Sequence, residues 1–332
     1  MENYLKEYQG KNILITGGAG CIGSNLTCAL IKAEAAKIIV LDDLSAAEKW
    51  NIPIAPNVVF IEGSILDEEM LKRVFSSKLD CVFHLAAHFA NQNSVDNPET
   101  DLKVNGLGIL KVLQYCNLAK VGRVVYASSG CSVYGSQAPL PLKEDFVSLH
   151  LDTPYQITKL LGELYCNFFY NTYGLPVTIA RYFNVYGPGE IPGAYRNVIP
   201  NFMYWALHGK PLTITGTGEE TRDFTFVEDI IQGTMLLGVV PEAIGDAFNL
   251  ASEKETKVIE IATMVNDITG NTAGLEYIAQ RDWDKITRRR ASIEKASRVL
   301  GYKPNMNINE GIRSVYDWFI ENCDKIEACA RF

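Results

Sequence analysis

The fold of this chain is decided by the stretch Asn12-Ile13-Leu14-Ile15-Thr16-Gly17-Gly18-Ala19-Gly20-Cys21-Ile22-Gly23. An apolar run predicts a strand, a Gly-x-x-Gly-x-x-Gly turn follows it, and the apolar spacing of the next residues predicts a helix. Glycine lets the backbone turn tightly and approach a ligand closely, and a helix N-terminus offers free N–H groups to a pyrophosphate. An ordinary glycine-rich turn is the alternative. The strand before the turn and the helix after it favour dinucleotide binding.

Outward from this stretch, short β-branched runs alternate with helical patterns through the first half of the chain. Several runs are apolar on both faces, which is typical of parallel strands covered by helices on both sides. The alternation predicts an α/β fold, a doubly wound parallel sheet of the Rossmann type with right-handed crossovers. Strands are expected at residues 12–16, 37–41, 58–62, 81–85, 123–128 and 176–182, and helices at 21–33, 68–75, 99–119 and 155–173.

An acidic residue stands at the end of the second predicted strand, in Val40-Leu41-Asp42-Asp43-Leu44-Ser45. A carboxylate at the position of Asp42 accepts hydrogen bonds from the adenosine ribose hydroxyls and repels a 2′-phosphate, so NAD is favoured over NADP. An aspartate that only caps the following turn is the alternative. Asp43 suits that role better.

The composition predicts a globular protein and disfavours several classes of partner. Of the 332 residues, 47% are hydrophobic, enough for one large α/β domain or a large domain with a smaller one. The formal net charge of −8 disfavours a nucleic-acid partner. No apolar run reaches the roughly 18–20 residues that cross a bilayer, and the polar first residues do not resemble a secretory signal. The eight scattered cysteines lack metal-ligand spacing, so we expect a cytoplasmic protein that holds no metal.

A tyrosine and a lysine follow Pro154 at helical spacing, in Tyr155-Gln156-Ile157-Thr158-Lys159. Positions i and i+4 share a helix face, so the phenol and the ammonium point the same way. The pKa of a free tyrosine is about 10, and a neighbouring ammonium with a positive nicotinamide ring is expected to lower it and give a usable base. This pair also occurs by chance in amphipathic helices. It gains weight from the glycine turn upstream.

Together these motifs resemble the extended short-chain dehydrogenase/reductase family, in its NAD-dependent sugar epimerase/dehydratase group, whose UDP-glucose 4-epimerases carry similar motifs. The similarity extends over nearly the whole chain. Besides the glycine turn and Tyr155-x-x-x-Lys159, it rests on Phe83-His84-Leu85-Ala86-Ala87, Tyr126-Ala127-Ser128-Ser129, Val133-Tyr134-Gly135, Arg181-Tyr182-Phe183-Asn184-Val185-Tyr186-Gly187-Pro188 and Thr221-Arg222-Asp223-Phe224.

The resemblance implies a division of labour between two units of the chain. Residues 1–183 and 224–250 are expected to form the NAD-binding Rossmann domain, and residues 184–223 and 251–332 a smaller C-terminal α/β subdomain that binds a nucleotide-diphosphate sugar. Tyr155 is the implied base that removes a proton from a sugar hydroxyl, usually at C4, while hydride passes to nicotinamide. Lys159 is implied to lower the pKa of the tyrosine and to hold the nicotinamide ribose. The implied cofactor contacts are Gly17, Gly20, Cys21, Ile22, Gly23, Asp42, Asp43, Leu44, Ser45, Ser64, Ile65, Leu85, Ala86, Ala87, Lys103, Tyr155, Lys159 and Tyr182.

The same resemblance implies where the substrate binds. Arg222 and Arg281 match arginines that clamp the diphosphate, a task that suits the fork of a guanidinium. A surface ion pair is the alternative for each arginine. The implied substrate contacts are Asn184, Asn197, Arg222 and Arg281, together with Asn91 and Asn93 from a polar loop that is otherwise an ordinary solvated loop.

Three positions depart from the family pattern. Gly130 stands where the family has the serine or threonine four residues before the tyrosine of Val-Tyr-Gly, and Ser129 and Ser132 are the candidates for that hydroxyl. Lys103 stands where the family often has asparagine, and Ser64 replaces an adenine-contacting aspartate. We therefore expect Gly130→Ser to leave activity unchanged or to raise it.

The reaction depends on the loop before Val-Tyr-Gly. Related dehydratases carry acidic residues there to protonate a leaving hydroxyl, whereas this chain has Cys131-Ser132. Epimerisation through a transient 4-keto intermediate is therefore the leading interpretation, with a 4-dehydrogenase or a 4,6-dehydratase as alternatives. Cys131 is either an acid/base beside the ketone or a small packed residue. A non-catalytic NAD-binding scaffold is the interpretation from another class, favoured only by Gly130.

The family also implies an assembly. Its helices that correspond to residues 99–119 and 155–173 pair across a two-fold axis into a four-helix bundle. The apolar residues Leu110, Leu113, Leu164, Phe168 and Phe169 in these segments fit a homodimer of that kind.

Overall fold

The structure is a computed structural model that describes residues 3–332. The predicted strands all form, with ends that differ from the expectation by one residue at most. In chain order the strands are β1 (Asn12–Thr16), β2 (Lys37–Asp42), β3 (Val58–Glu62), β4 (Cys81–His84), β5 (Val124–Ser129), β6 (Val177–Tyr182), β7 (Val185–Tyr186), β8 (Leu212–Thr215), β9 (Thr221–Arg222), β10 (Thr225–Phe226), β11 (Ala247–Leu250), β12 (Thr256–Lys257) and β13 (Leu275–Ile278).

The helices alternate with the strands of the first half and then cluster in the second. They are α1 (Asn3–Lys6), α2 (Cys21–Lys32), α3 (Glu68–Phe75), α4 (Asn91–Asp96), α5 (Pro98–Asp101), α6 (Ile109–Leu118), α7 (Pro154–Tyr173), α8 (Val198–Leu207), α9 (Val227–Val239), α10 (Val258–Thr269), α11 (Glu294–Leu300), α12 (Ile308–Glu321) and α13 (Cys323–Cys329).

Seven parallel strands form the central sheet, in the order β11-β6-β5-β4-β1-β2-β3. The chain builds outward from β1 to β3 and then returns to the other side of β1 to start β4. The strand order therefore reverses between β1 and β4, and a crevice at the carboxyl ends of such strands is where open α/β sheets bind ligands. The predicted Rossmann fold is confirmed.

Alternate residues of each central strand pack on opposite faces of the sheet, as the two-residue period of a strand requires. In β1, Ile13 and Ile15 join the apolar cluster that contains α2 and α9, whereas Leu14 joins the cluster that contains α3, α6 and α7. Both clusters are fully buried at these positions. This double burial explains why the strands are apolar in nearly every residue.

The helix expected at residues 99–119 is interrupted. Helix α5 is followed by a π-helical turn, Leu102–Gly108, before α6 begins. Gly106 and Gly108 lie within this turn, where a Cβ on Gly108 would stand 2.5 Å from Ile65 Cδ1. Single π-helical turns inside helices are common at functional sites.

The second half of the chain adds a smaller layer beside the sheet. Strands β8 and β13 pair in parallel, β9 pairs with β12 antiparallel, and β10 pairs with β7 in parallel. Helices α8, α10 and α12 pack on one another. Strand β11 and helix α9 return to the large sheet, so the chain crosses between the two layers.

Three further findings concern the described range. Within residues 3–332, no helix is both long and apolar enough to cross a membrane. The same residues contain no group of three or more His, Cys, Asp or Glu side chains placed to hold a metal ion. The eight cysteines all lie in this range and form no disulfide.

Candidate active site

The glycine turn lies at the crevice between β1 and β4. Gly17 has φ +71°, and a Cβ there would stand 2.6 Å from the backbone nitrogen of Ala86, so the turn and the loop after β4 touch through their backbones. A Cβ on Gly23 would stand 2.5 Å from the carbonyl oxygen of Gly17. Gly20 differs, because its nearest neighbour would be 3.5 Å away. The side of the turn at Gly20 is therefore open to a ligand.

Asp42 closes the turn from the neighbouring strand. Its carboxylate accepts hydrogen bonds from the N–H groups of Ala19, at 3.0 Å, and Leu44, at 2.9 Å. Burial raises the pKa of Asp42, and these two hydrogen bonds oppose the increase. Asp43 is exposed and accepts a hydrogen bond from Ser45 N–H at 3.0 Å. Both aspartates therefore cap the turn, Asp42 through Leu44 N–H and Asp43 through Ser45 N–H.

Tyr155 and Lys159 lie in the first turns of α7. Thr153 caps the helix by accepting a hydrogen bond from Gln156 N–H, and Pro154 occupies the first helical position. The ammonium of Lys159 is buried, donates to the carbonyl oxygen of Ala127 at 2.9 Å and lies 5.5 Å from the centroid of the Tyr155 ring. The i, i+4 spacing thus places both groups on one face beside the end of β5.

A buried ion pair fixes α7 against the sheet. Glu163 and Arg181 form two hydrogen bonds, from Nε to Oε1 at 3.0 Å and from Nη2 to Oε2 at 2.8 Å. Ser128, near the end of β5, donates to the same carboxylate at 2.5 Å. These bonds join α7, β5 and β6, and they fix the position of the helix that carries Tyr155 relative to the sheet.

The protein groups around Tyr155 raise the pKa of its phenol. Burial is the largest cause, and the nearby Asp101 and Cys131 add to it. Burial also lowers the pKa of Lys159 to about 8, against the opposing effect of Asp101. Removal of the phenol from water therefore dominates its pKa, and Lys159 is not among the groups that shift it.

A polar cluster below this pair escaped the sequence analysis. Asp101 is fully buried and accepts hydrogen bonds from Thr158 Oγ1 at 2.6 Å and from Asn105 Nδ2 at 2.8 Å. Asn105 also donates to the carbonyl oxygen of His88 and accepts from His88 N–H. The cluster therefore connects the π-helical turn, the loop after β4 and α7. Burial of Asp101 in an otherwise helical run was not visible in the sequence.

The structure places Lys103 away from this cluster. Its side chain is 64% exposed and pairs with Glu99 at 3.8 Å. The buried asparagine of this segment is Asn105, two residues further along. The proposed cofactor contact at Lys103 is thus not supported by the geometry, because the π-helical turn directs Asn105 inward and leaves Lys103 in solvent.

Gly130 is packed against an aromatic ring. A Cβ at this position would stand 1.9 Å from Cε2 of Phe183, which is itself fully buried. A serine at this position needs space that the Phe183 ring fills, so the packing opposes the expectation that Gly130→Ser leaves activity unchanged, and the effect on activity stays a prediction. Ser129 and Ser132 bond to each other, the Ser132 hydroxyl donating at 2.9 Å. Ser132 is fully buried and Ser129 is partly exposed.

Cys131 faces the site. Its thiol donates to Asn184 Oδ1 at 3.1 Å, and it lies within electrostatic reach of Tyr155. Asn184 has φ +26°, a strained conformation for a residue with a side chain. Asn197 caps α8 without a side-chain capping bond and donates instead to Val185 O and Glu190 Oε1.

The two arginines expected at the diphosphate lie in different surroundings. Arg222 is partly buried and pairs with Asp284, Nη2 to Oδ2 at 3.4 Å. Arg281 is exposed, with its guanidinium 5.8 Å from the centroid of the Trp283 ring. A third arginine, Arg289, is buried beside Arg222 and within electrostatic reach of Cys131. Arg289 could not be singled out from the sequence, because it lies among three consecutive arginines that give no signal as to which of them points inward.

The polar loop at α4 connects the two layers. Asn91 Oδ1 accepts from Thr153 Oγ1 at 2.7 Å, and Asn93 Nδ2 donates to Phe89 O at 3.2 Å. Gln92 Oε1 accepts from the indole N–H of Trp283 at 2.9 Å. Asn91 and Asn93 are therefore held by the protein, and each keeps part of its amide for a further partner.

The remaining expected cofactor contacts line or support the crevice. Leu85, Ala86 and Ala87 are partly exposed along the loop after β4. Ser64 accepts a hydrogen bond from Leu66 N–H at 3.3 Å. Ile65 and Tyr182 are buried, Tyr182 with its hydroxyl 2.8 Å from Thr234 Oγ1. Little of either side chain is left for a ligand, and their cofactor contacts stay a prediction.

A sequence profile of the NAD dependent epimerase/dehydratase family matches residues 13–251. The chain belongs to this family. It is 34% identical over 309 residues to UDP-glucose 4-epimerase of Mycolicibacterium smegmatis, which covers 92% of this chain and 97% of that protein.

Solved structures of other proteins are similar to this chain in sequence and in fold. Epimerase Mth375 from the methanogen Methanothermobacter thermautotrophicus is 57% identical with a TM-score of 0.98, over 99% of this chain and 98% of that one. The Bordetella bronchiseptica enzyme WbmF, in complex with NAD+ and UDP, is 37% identical with a TM-score of 0.85, over 97% and 96% of the two chains.

The glycine turn fits the cofactor for which the family is named. Gly20 is open on the side where a pyrophosphate binds, and the N–H groups of Cys21 and Ile22 have no protein acceptor within residues 3–332. Asp42 stands at the end of β2, the place for a ribose-binding carboxylate. Free donors and a carboxylate are the groups that a dinucleotide requires here.

Proposed function

We propose that this chain is an NAD-dependent nucleotide-sugar epimerase that acts through a transient 4-keto intermediate. One observation carries the proposal: the buried Tyr155–Lys159 pair lies at the end of β5, in the same parallel sheet as the strand that leads into the glycine turn, and the adjoining loop offers Cys131 and Ser132 rather than carboxylates. A base and a hydride acceptor are sufficient for epimerisation, whereas dehydration also requires an acid for the leaving hydroxyl.

The residues of the crevice are the proposed NAD site. The first turn of α2 and the open side of Gly20 suit the pyrophosphate, and Asp42 suits the adenosine ribose. Lys159 is proposed to hold the nicotinamide ribose. When bound, NAD supplies the acceptor for a hydride from C4 and a positive ring that favours the phenolate of Tyr155. That positive charge is needed here, since burial raises the pKa of this phenol.

Tyr155 is the proposed base for the C4 hydroxyl, and Ser132 and Ser129 are the proposed hydroxyl donors beside it. Their mutual hydrogen bond at 2.9 Å leaves the Ser129 hydroxyl, which is partly exposed, free to donate to a sugar oxygen. Cys131 is the other acid/base candidate, supported by its contact with Asn184 and its proximity to Tyr155.

The substrate side is proposed to bind the diphosphate through Arg222 and the nucleotide-sugar through Asn184, Asn197 and the amides of Asn91 and Asn93. Relatives of this chain are named for UDP-sugars, and one solved relative holds UDP. Arg281 is also a proposed substrate contact. Its side chain is exposed, so this contact requires its loop to pack over the substrate.

Two enzyme alternatives differ in their products. A 4-dehydrogenase stops at the ketone and accumulates reduced nicotinamide, and a 4,6-dehydratase loses the C6 hydroxyl. The scaffold alternative keeps NAD and has no turnover. The burial of Lys159 argues against it, since a scaffold gains nothing from an ammonium whose pKa burial lowers to about 8.

Assembly and organisation follow as parts of the same proposal. A homodimer through a four-helix bundle is supported by Leu164 and Phe168, which are exposed on α7, and by Leu102 and Leu107 on the preceding π-helical turn. The expected residues Leu113 and Phe169 are buried within the chain. The division into residues 1–183 with 224–250 and 184–223 with 251–332 is supported by the return of β11 to the large sheet. A cytoplasmic location is supported by the free thiols.

A panel of UDP-, GDP-, CDP- and dTDP-sugars tests the reaction. We expect the enzyme to interconvert two C4 epimers, which NMR detects. Reduced nicotinamide, followed by its absorbance at about 340 nm, should show no net accumulation. Accumulated reduced cofactor with a 4-ketosugar indicates the dehydrogenase, and a 4-keto-6-deoxy product indicates the dehydratase. Binding of NAD without any product from the whole panel contradicts the proposal.

A further inference from the structure

The side chain of Arg289 has no protein partner in the site. It is 4% exposed, and within residues 3–332 its guanidinium forms no hydrogen bond and no salt bridge. A buried charge without a partner is costly, because it loses its hydration without compensation. A guanidinium stays charged at every ordinary pH, so it cannot escape this cost by losing a proton.

The backbone decides which way Arg289 points. Its N–H donates to Thr221 O at 3.2 Å, and Thr221 N–H donates to Thr287 O at 2.9 Å, so this segment runs along β9. The intervening Arg288 points to Glu255, with Nη2 2.6 Å from Oε2. Because neighbouring side chains alternate in such a pairing, Arg289 lies on the opposite face, which is the face of Arg222.

Arg289 has neighbours in both parts of the proposed site, at the proposed base and at the proposed diphosphate arginine. Its electrostatic neighbours are Cys131, Arg222, Asp284 and Asp152. Cys131 in turn lies near Tyr155. Arg289 therefore shares the neighbour Cys131 with Tyr155 and lies on the same face as Arg222. A sugar whose C4 hydroxyl is at Tyr155 and whose diphosphate is at Arg222 has its ring beside Arg289.

The guanidinium of Arg289 has no bonded counter-charge, although two carboxylates lie within electrostatic reach of it. Burial and the neighbouring guanidinium of Arg222 lower the pKa of Arg289, while Asp284 and Asp152 oppose this. Neither carboxylate is bonded to it: Asp284 pairs with Arg222, and Asp152 Oδ2 is buried without a hydrogen-bond partner. A hydroxymethyl group on a neutral sugar supplies an acceptor but no charge.

Resting on the proposed function, we propose that Arg289 binds a carboxylate on the sugar, so that the substrate is a nucleotide-diphosphate uronic sugar. The fork of a guanidinium matches a carboxylate with two parallel hydrogen bonds. The same fork also matches a phosphate. The two possibilities are distinguished by UDP alone, because a variant of Arg289 weakens UDP binding only if the residue contacts the diphosphate.

The test compares UDP-glucuronate and UDP-galacturonate with UDP-glucose and UDP, in calorimetry and in NMR turnover. We expect the wild type to bind the uronates at least about 10-fold more tightly than UDP-glucose. Removing one partner of a buried charge pair costs roughly 30-fold or more in affinity, so Arg289→Gln should weaken the uronates to that extent. It should leave UDP and UDP-glucose within about threefold of the wild type. Retained binding of NAD shows that the variant is folded, and Arg289→Lys replaces it if it is not.

Matched controls isolate the inward arginine. Arg288→Gln, on the opposite face, should change none of these affinities, and Arg222→Gln should weaken UDP and every sugar nucleotide alike. An equal loss for UDP in Arg289→Gln assigns the residue to the diphosphate and overturns the proposal. So does a wild type that binds UDP-glucose as well as the uronates. If neutral sugars alone are epimerised, the proposed function stands and this inference fails. If no sugar is turned over, the proposed function fails, and the affinities still decide the role of Arg289.

Discussion

The proposed role of Tyr155 as the base requires its phenol to lose a proton in surroundings that favour the neutral form. Burial, Asp101 and Cys131 all raise its pKa, and Lys159 is itself buried with a pKa of about 8. The protein alone therefore keeps this tyrosine protonated. Only a further positive charge beside the phenol makes it a base, and this makes proton removal depend on the bound cofactor.

The first prediction tests this tyrosine as the base. Tyr155→Phe retains the ring and its packing and removes the hydroxyl. Turnover of the best substrate should fall by about 10²–10⁴-fold, the usual effect of a lost general base, with NAD affinity unchanged. Steady-state kinetics and NAD titration measure the two quantities, and Tyr173→Phe, exposed at the end of the same helix, is the control. Full turnover in Tyr155→Phe would show that another group removes the proton.

The second prediction concerns Gly130 and replaces the expectation from the sequence. A Cβ at 130 overlaps the ring of Phe183, so Gly130→Ser should lower the free energy of unfolding by about 1–3 kcal/mol, the range for overpacked cores, and should reduce turnover. Urea denaturation measures the first effect. Adding Phe183→Leu to Gly130→Ser should recover part of the stability. A Gly130→Ser variant as stable as the wild type would mean that the ring moves aside freely.

At the scale of elements, the interrupted helix from α5 to α6 determines what surrounds the catalytic pair. The π-helical turn Leu102–Gly108 directs Asn105 to the loop after β4 and leaves Asp101 under α7. A regular helix over residues 99–119 would rotate these side chains relative to one another. The turn thus supplies a buried carboxylate within electrostatic reach of Tyr155 and Lys159.

The third prediction follows from that carboxylate. Asp101 raises the pKa of Tyr155 and of Lys159, because a negative charge disfavours the phenolate and favours the ammonium. Asp101→Asn should lower both pKa values, so the acidic limb and the alkaline limb of the kcat/KM profile should both move to lower pH. The profile is measured from about pH 5 to 10, so that both the acidic and the alkaline limb are followed. Asp267→Asn, on an exposed position of α10, is the control. An unmoved acidic limb would separate Asp101 from the base.

At the scale of the whole molecule, α7 serves two surfaces. One face presents Tyr155, Lys159 and Glu163 to the sheet, and another leaves Leu164 and Phe168 exposed. Large exposed apolar side chains clustered on one helix are typical of an interface. The proposed base and the proposed dimer contact thus lie on one helix.

The fourth prediction tests this interface. Leu164→Glu combined with Phe168→Glu places two charges in the proposed contact, and the protein should change from a dimer to a monomer in light scattering at micromolar concentration. Ile54→Glu, at a still more exposed apolar position outside α7, should leave the dimer intact. A wild type that scatters as a monomer contradicts the homodimer directly.

Much of this protein was determined by local sequence. Strand β1, the glycine turn and α2 follow from an apolar run, three glycines and a helical period, each a property of a few neighbouring residues. The shared face of Tyr155 and Lys159 follows from the geometry of one helix. Asp42 follows because the end of β2 must lie beside the end of β1 in a parallel sheet.

Tertiary structure decided the features that depend on residues far apart in the chain. Phe183 fills the space above Gly130, Asp101 lies beneath Thr158, and Thr221 sets which of three arginines turns inward. No local period contains these pairs, because each exists only after strands and helices from different parts of the chain have packed. The types of residue in the proposed site and their spacing therefore follow from the local sequence. The steric limits of the site, its buried charges and the group beside the sugar came from the fold.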